Sequence, residues 1–310
     1  VSDWLAKANN LLHTFDINEG EIGGSHQENI FVIGAPRSGT TVLSQYIVSC
    51  FEVGYVDNLM ASFWKAPCFG ALLSNKLITT KSLSADSCFG ATSNISDIHE
   101  FGGFWREYLN YKGMEQRVNV DIDWKRLTSV LDNISKIKNK PMLYKVFQLY
   151  WHLSQFHEMK PKTKWIWIDR NVSENALSLL KLRKKIKGNE EEWASAKPIF
   201  SDSFETSSKE KQVISQVVGI NQWIKNELHN IPDAQWIKVN YDEFVHRPIK
   251  EGKRLAHFLD LGFDETRAKE FAKNLSYRKP IEDLQLQKDI ESVHDFAKKW
   301  DVKRGKCIKL

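Results

Sequence analysis

The chain has 310 residues, with 44 Lys and Arg against 39 Asp and Glu and a formal net charge of +5. That length suits one large domain or two ordinary ones, and a hydrophobic share of 42% is ordinary for a globular protein. The mild positive balance suits anionic ligands, but it falls short of the motif or dense basic patch of a nucleic-acid binder, and no stretch reaches the ~18 apolar residues of a membrane span.

Residues 1–28 predict a helix, with Trp4, Leu5, Ala8, Leu11 and Leu12 as its apolar positions, followed by a polar arm containing glycine. Ile30 to Ile33 are a short apolar run that reads as a buried strand. The run ends in Gly34-Ala35-Pro36-Arg37-Ser38-Gly39, and a helix opens at Thr40 with Val42, Leu43, Tyr46 and Ile47 on one face. Strand, glycine-rich loop and helix N-terminus together make an anion site, because backbone N–H groups point into the loop and the helix dipole adds partial positive charge. The spacing is close to the nucleoside triphosphate loop G-x-x-x-x-G-K-[ST], with Gly34, Gly39 and Thr41 in place. Thr40 stands where that loop has the lysine that reaches the β/γ-phosphates, which argues against a nucleoside triphosphatase. A cation appears inside the loop instead, at Arg37 beside Ser38.

Further strand-like runs fall at 52–56, 142–147, 164–168 and 235–239. Helical patterns lie at 173–187, at 209–230, where Val213, Val217, Ile220, Trp223, Ile224 and Leu228 keep helical spacing, and at 248–259. Alternating strands and helices imply crossover connections, hence an α/β fold with a parallel β-sheet flanked by helices. Ligands then sit at the carboxyl ends of the strands. Residues 60–95 show no clear pattern, and 188–208 and 280–310 read as charged or irregular surface segments. The basic run Lys181, Arg183, Lys184, Lys185 and Lys187 reads as a solvated helix end. Asp97 could cap a helix beginning near Glu100.

The loop Gly34-Ala35-Pro36-Arg37-Ser38-Gly39-Thr40-Thr41 resembles the 5′-phosphosulfate loop of sulfotransferases that use 3′-phosphoadenosine 5′-phosphosulfate. A second stretch, Lys164 to Ser178, is similar to that family's 3′-phosphate signature: Arg170 stands at the strand end and Ser178 eight residues on, in the following helix. A phosphate monoester needs a planar multi-donor cation and a hydroxyl donor, which explains the pair. Val172 replaces the proline usual after Arg-Asn. The plainer reading makes Arg170 a surface ion pair. A third stretch, Trp236 to Phe244, is similar to the family's strand and Tyr-Glu-Asp-Leu, whose tyrosine lies near the adenine; Tyr241 is equally well a half-buried core residue.

The resemblance implies a P-loop NTPase-like sulfotransferase fold, with an N-terminal helix and arm over 1–28 and a single domain over 29–310. It also implies donor contacts at Arg37, Ser38, Gly39, Thr40, Thr41, Arg170, Ser178 and Tyr241, and no metal. Sulfuryl transfer displaces one oxygen by another roughly in line. The attacking hydroxyl needs a base and the leaving phosphate needs cations. Arg37 and Lys145 are the candidate cations. Phe147 occupies the position where small-molecule members carry a histidine base. The base therefore falls to Asp97-Ile98-His99-Glu100-Phe101-Gly102, which looks like a string in bacterial members acting on glycans, with Glu100 first and His99 second. A carboxylate is ionised at neutral pH. The glycan-like string and the absent histidine favour a carbohydrate hydroxyl as acceptor.

Two rival functions follow from the same residues. Trp165 to Ile168 followed by Asp169 mimics the magnesium-binding strand of a P-loop kinase, and a non-catalytic nucleotide-binding module is the other. The C-terminal 3′-phosphate contact has two candidates, Lys303-Arg304-Gly305 and Arg278-Lys279. Cys50, Cys68, Cys88 and Cys307 show no metal spacing and no disulfide framework. Reduced thiols suit a cytoplasmic protein, the alternative being a Golgi lumenal one that has lost its anchor. Of the sequons at Asn94, Asn133, Asn171 and Asn274, Asn171 would place a glycan beside the phosphate site. No secretory leader is visible, and the start at Val1 rather than Met suits a trimmed piece of a longer protein.

Overall fold

The computed structural model describes residues 3–16, 22, 27–78, 94–111, 113, 115–116, 120–275, 283–301 and 306–307. Five strands, β1 (Asn29–Ile33), β2 (Gly54–Tyr55), β3 (Met142–Lys145), β4 (Lys164–Asp169) and β5 (Trp236–Asn240), form one sheet in the order β2-β3-β1-β4-β5. Every pairing in it is parallel. The helices of the first half are α1 (Asp3–Leu12), α2 (Thr40–Cys50), α3 (Asn58–Ala61), α4 (Pro67–Leu77), α5 (Gly102–Tyr108) and α6 (Trp124–Lys138). Those of the second half are α7 (Leu153–Met159), α8 (Val172–Lys187), α9 (Lys209–Leu228), α10 (Tyr241–His246), α11 (Pro248–Leu259), α12 (Glu265–Ala272) and α13 (Leu284–Lys298). Among the described residues no helix is long and apolar enough to cross a membrane.

The strands are near-continuous apolar runs because helices cover both faces of the sheet. Side chains alternate between those faces. Phe31 pairs directly with Tyr144 of β3 and Trp165 of β4. The three rings stack with centroids 5.2 and 4.8 Å apart, each pair contributing about 0.5–1.5 kcal/mol beyond its buried area. Residues of α5, α6, α7, α8, α9 and α13 join this core. The opposite face, Ile30, Val32, Leu143, Ile166, Ile168 and Val239, packs against α2, α11 and α12. Lys145 shares the face of Leu143, and its register partner is Val32. It is therefore the charged terminus of an otherwise apolar strand, facing α2.

The chain leaves β1 towards β2 and leaves β4 towards β5, on opposite sides, so a crevice opens between β1 and β4 at their carboxyl ends.

Three expectations for surface segments are overturned. Residues 284–298 form α13, where Leu286, Val293 and Ala297 are buried and Ile290 packs on the same core. Within 188–208, Ala194, Ala196, Phe200 and Phe204 are buried; Phe200 presses on α9 at Gly219, where an added Cβ would come within 2.9 Å of it. Arg183 is fully buried, whereas Lys181, Lys184, Lys185 and Lys187 of the same basic run are exposed. Its guanidinium lies 4.7 Å from the Trp193 ring centroid and donates to Gln212 Oε1 at 3.0 Å, while burial lowers its pKa. Cys88 and both candidate C-terminal phosphate contacts, 278–279 and 303–305, lie outside the described residues.

Candidate active site

The loop between β1 and α2 is held by unusual backbone angles. Arg37 and Gly39 take φ values of 70° and 105° in the left-handed region. Between them the Ser38 N–H closes the turn on the Ala35 carbonyl at 3.0 Å. Gly39 caps α2 with no side chain to satisfy the first-turn N–H groups, which leaves them available to an anion. Both loop glycines are required by space. A Cβ on Gly34 would stand 2.5 Å from the Ile168 carbonyl oxygen, and one on Gly39 would stand 2.4 Å from the Tyr241 ring. The Ser38 hydroxyl is buried without a hydrogen-bond partner among the described residues. A buried donor next to the uncapped first turn of α2 fits a phosphate.

The second motif meets the first directly. Arg37 Nε donates to Ser178 Oγ at 3.1 Å, and Arg170 Nη1 donates to the Arg37 carbonyl at 3.3 Å. Arg170 also donates through Nε and Nη2 to Glu174 Oε2 at 3.0 and 2.9 Å. Its guanidinium lies over the Tyr241 ring, 4.4 Å from the centroid. Glu174 is thus a residue that sequence reasoning missed, although Arg170 and Glu174 stand four apart in the signature itself. The carboxylate and the ring fix the plane of the guanidinium. Asn171, in the adjoining turn, caps α8 by accepting from the N–H groups of Ser173 and Glu174. Its amide oxygen is committed to that cap, and Asn133, at another of the four sequons, is buried and closed to a glycan.

On the other side of the loop, Lys145 Nζ donates to Thr41 Oγ1 at 2.9 Å and pairs with Glu100 Oε1 at 3.2 Å. The side chain of Lys145 is 2% exposed and that of Glu100 is 40% exposed. The cation is therefore sheltered and the carboxylate open to an incoming molecule. His99 is oriented differently. Its Nδ1 accepts the Phe101 N–H at 2.8 Å, and burial holds its imidazole below the ordinary histidine pKa against the opposing effect of Glu100. A neutral ring with Nδ1 so occupied carries its proton on Nε2.

Asp97 does not cap a helix at Glu100. It is fully buried and accepts the Asn94 N–H, and α5 begins only at Gly102, after Phe101 in the left-handed region. Glu100 consequently belongs to an extended stretch, not to a helix start.

One cleft of about 370 Å³ joins these groups, lined by Gly34, Arg37, Gly39, Thr40, Thr41, Glu100, Lys145, Arg170 and Tyr241. Phe147, Leu182, Ile186 and Ser195 also line it. Leu182 and Ile186 follow Ser178 at four-residue intervals on α8, a signal visible in the sequence once the helix is fixed. Asp169, the carboxylate that mimicked a magnesium ligand, pairs with Lys238 at 2.6 Å and accepts from Asn221 at 3.1 Å. Among the described residues no group of three or more His, Cys, Asp or Glu could hold a metal ion.

A parallel sheet with a glycine-bearing loop after its central strand defines an α/β class, and the relatives narrow it. The family model described as the sulfotransferase family matches residues 29–265. The chain belongs to the sulfotransferase family. Its fold is similar to that of sulfotransferase STF9 from Mycobacterium avium, with a TM-score of 0.59 at 14% identity over 93% of this chain and 79% of that one. It is also similar to that of sulfotransferase STF1 from Mycobacterium tuberculosis H37Rv, with a TM-score of 0.52 at 12% identity over 93% and 81%. At such identities the likeness is one of fold. No curated protein matches the chain.

Proposed function

We propose that this protein transfers a sulfuryl group from 3′-phosphoadenosine 5′-phosphosulfate to an acceptor hydroxyl, on a carbohydrate, by in-line displacement without a metal. The observation that carries the reading is one cleft lined by residues of the loop at 34–41, by Arg170 and by the Lys145–Glu100 pair, with Ser178 bonded to Arg37 of that loop. On this reading residues 29–310 act as one P-loop-like catalytic unit, with residues 1–28 as a separate N-terminal piece, in the cytoplasm.

The loop N–H groups, Ser38, Thr40 and Thr41 hold the 5′ end of the donor. Arg170 and Ser178 hold the 3′-phosphate, with Arg37 between the two ends through its bond to Ser178. Tyr241, which stands between Gly39 and Arg170, is assigned to the nucleoside. The donor supplies the activated sulfuryl group and a phosphate that leaves. Lys145 meets the charge that develops on that phosphate. Glu100 takes the proton of the attacking hydroxyl. His99 is the weaker candidate for base because its acceptor nitrogen is already bonded to Phe101. The kinase alternative is weakened by Thr40 in the lysine position and by the partners already on Asp169.

The test is an acceptor screen with isotopically labelled sulfate donor in the presence of a chelator, sugars being compared with phenols. Label on a sugar hydroxyl at an undiminished rate in chelator supports the reading. Phosphate transfer from ATP that requires magnesium refutes it.

A further inference from the structure

Glu100 lies in an extended stretch, yet it meets Lys145 of another segment at 3.2 Å. The stretch is laced antiparallel to the chain that follows β2. His99 N–H donates to the Val56 carbonyl at 2.8 Å, Asn58 N–H to the Asp97 carbonyl at 3.0 Å and Leu59 N–H to the Ile95 carbonyl at 3.1 Å. Asp57 and Ile98 form the bridge at the centre of this lacing.

The Asp57 side chain, at 3% exposure, is the hub of a buried polar network. Its Oδ1 accepts the Met60 N–H at 2.8 Å. Its Oδ2 accepts the Ser74 hydroxyl of α4 and lies 3.6 Å from Lys138 Nζ. Lys138 Nζ in turn donates to Ser74 Oγ at 2.6 Å. Lys138 is the last residue of α6, and the chain runs from it through Gly54's partner Pro141 into β3, whose last residue is Lys145. One network therefore grips both segments that meet at the Glu100–Lys145 pair.

Stability alone does not explain such a network. A buried ion pair contributes little beyond what apolar packing of the same volume would give. Burial lowers the pKa of the Lys138 ammonium while Asp57 opposes the shift, and the Asp57 charge is also felt at His99.

We infer that Asp57, Ser74 and Lys138 are positioning residues that set the distance between Glu100 and Lys145, and so the rate of proton removal from the acceptor. This rests on the reading of Glu100 as base. Small displacements of a catalytic group are costly: about 1 Å can cost roughly a hundredfold.

The test uses Asp57→Asn and the double variant Asp57→Asn with Lys138→Met, each also in a Glu100→Gln background. The double variant is included because Asp57→Asn alone leaves a buried ammonium without its carboxylate. With Glu100 present, kcat should fall about tenfold to a hundredfold, while acceptor KM and calorimetric affinity for 3′,5′-diphosphoadenosine stay within about twofold. With Gln at position 100 the same changes should cause no further loss, as expected for residues that act through one group. Amide hydrogen exchange at His99 and Phe101 should accelerate in both variants, a readout that needs no acceptor. An undiminished kcat in the folded double variant, with Glu100→Gln itself crippled, overturns this inference and leaves the base assignment standing. Equal losses in both backgrounds overturn it as well. Glu100→Gln without effect on turnover overturns the base assignment and the inference together.

Discussion

The two halves of the cleft are built in different ways. The half assigned to the nucleotide consists of two strand–turn–helix pieces, Ile30 to Thr41 and Lys164 to Ser178, each with local supports and joined to the other by the bonds Arg37 to Ser178 and Arg170 to Arg37. Left-handed angles at Arg37 and Gly39, the cap at Asn171 and the Arg170–Glu174 pair are all local. The half assigned to the chemistry is assembled from distant parts. Glu100 and Lys145 are 45 residues apart, and each depends on backbone lacing and a buried network far from the loop. On the proposed reading, nonlocal construction makes turnover sensitive to packing well away from the reacting atoms.

That contrast predicts a separation of binding from turnover. Glu100→Gln should have the largest effect, lowering kcat about 10²–10⁴-fold with the affinity for 3′,5′-diphosphoadenosine unchanged; matched losses in both would erase the distinction between the halves. Arg170→Ala should weaken nucleotides with a 3′-phosphate by roughly 10- to 150-fold, since a hydrogen bond to a charged group contributes about 1.5–3 kcal/mol. Nucleotides lacking that phosphate should bind within about twofold of wild type in the same calorimetric titration. Gly39→Ala should lower all nucleotide affinities about five- to hundredfold, because a non-glycine residue held in a sparsely populated backbone region costs about 1–3 kcal/mol and its Cβ would strike Tyr241.

The smallest effect concerns pH and sits outside the cleft. Burial lowers the pKa of His152, so the unfolded chain takes up the proton more readily than the folded one. Its contribution to stability is complete above the ordinary histidine pKa of about 6.5 and is lost as pH falls below it. Denaturant midpoints measured from pH 7.5 to 5.5 should fall less steeply for His152→Gln than for wild type. An identical slope would assign the pH dependence to other groups.

Legibility in the sequence follows the same division. The glycine spacing of the loop could be read directly, whereas the Arg170–Ser178 interval was carried by a family resemblance; both belong to short segments. The apolar runs of β1 and β4 were equally plain, since a parallel sheet covered on both faces shows no polar alternation. The strand order was not, because crossover connections leave no trace in composition. The burial of Arg183 was hidden among the lysines around it; the Trp193 ring, Gln212 and the Glu190 carbonyl distinguish it. Helix α13 was masked by its charge, although Leu286, Ile290, Val293 and Ala297 keep a helical stripe that a periodicity count detects. Asp97 has the chemistry of a cap but turns inward, since the chain needs another turn, at Phe101, before α5 can start.

A cleft built for two phosphates on one nucleoside should reveal itself in calorimetric titration. We expect 3′,5′-diphosphoadenosine to bind at least about tenfold more tightly than 5′-AMP or ATP, in keeping with charge-assisted bonds to a second phosphate, and without added magnesium. Equal affinity for all three, or tighter binding of ATP once magnesium is present, would contradict the account.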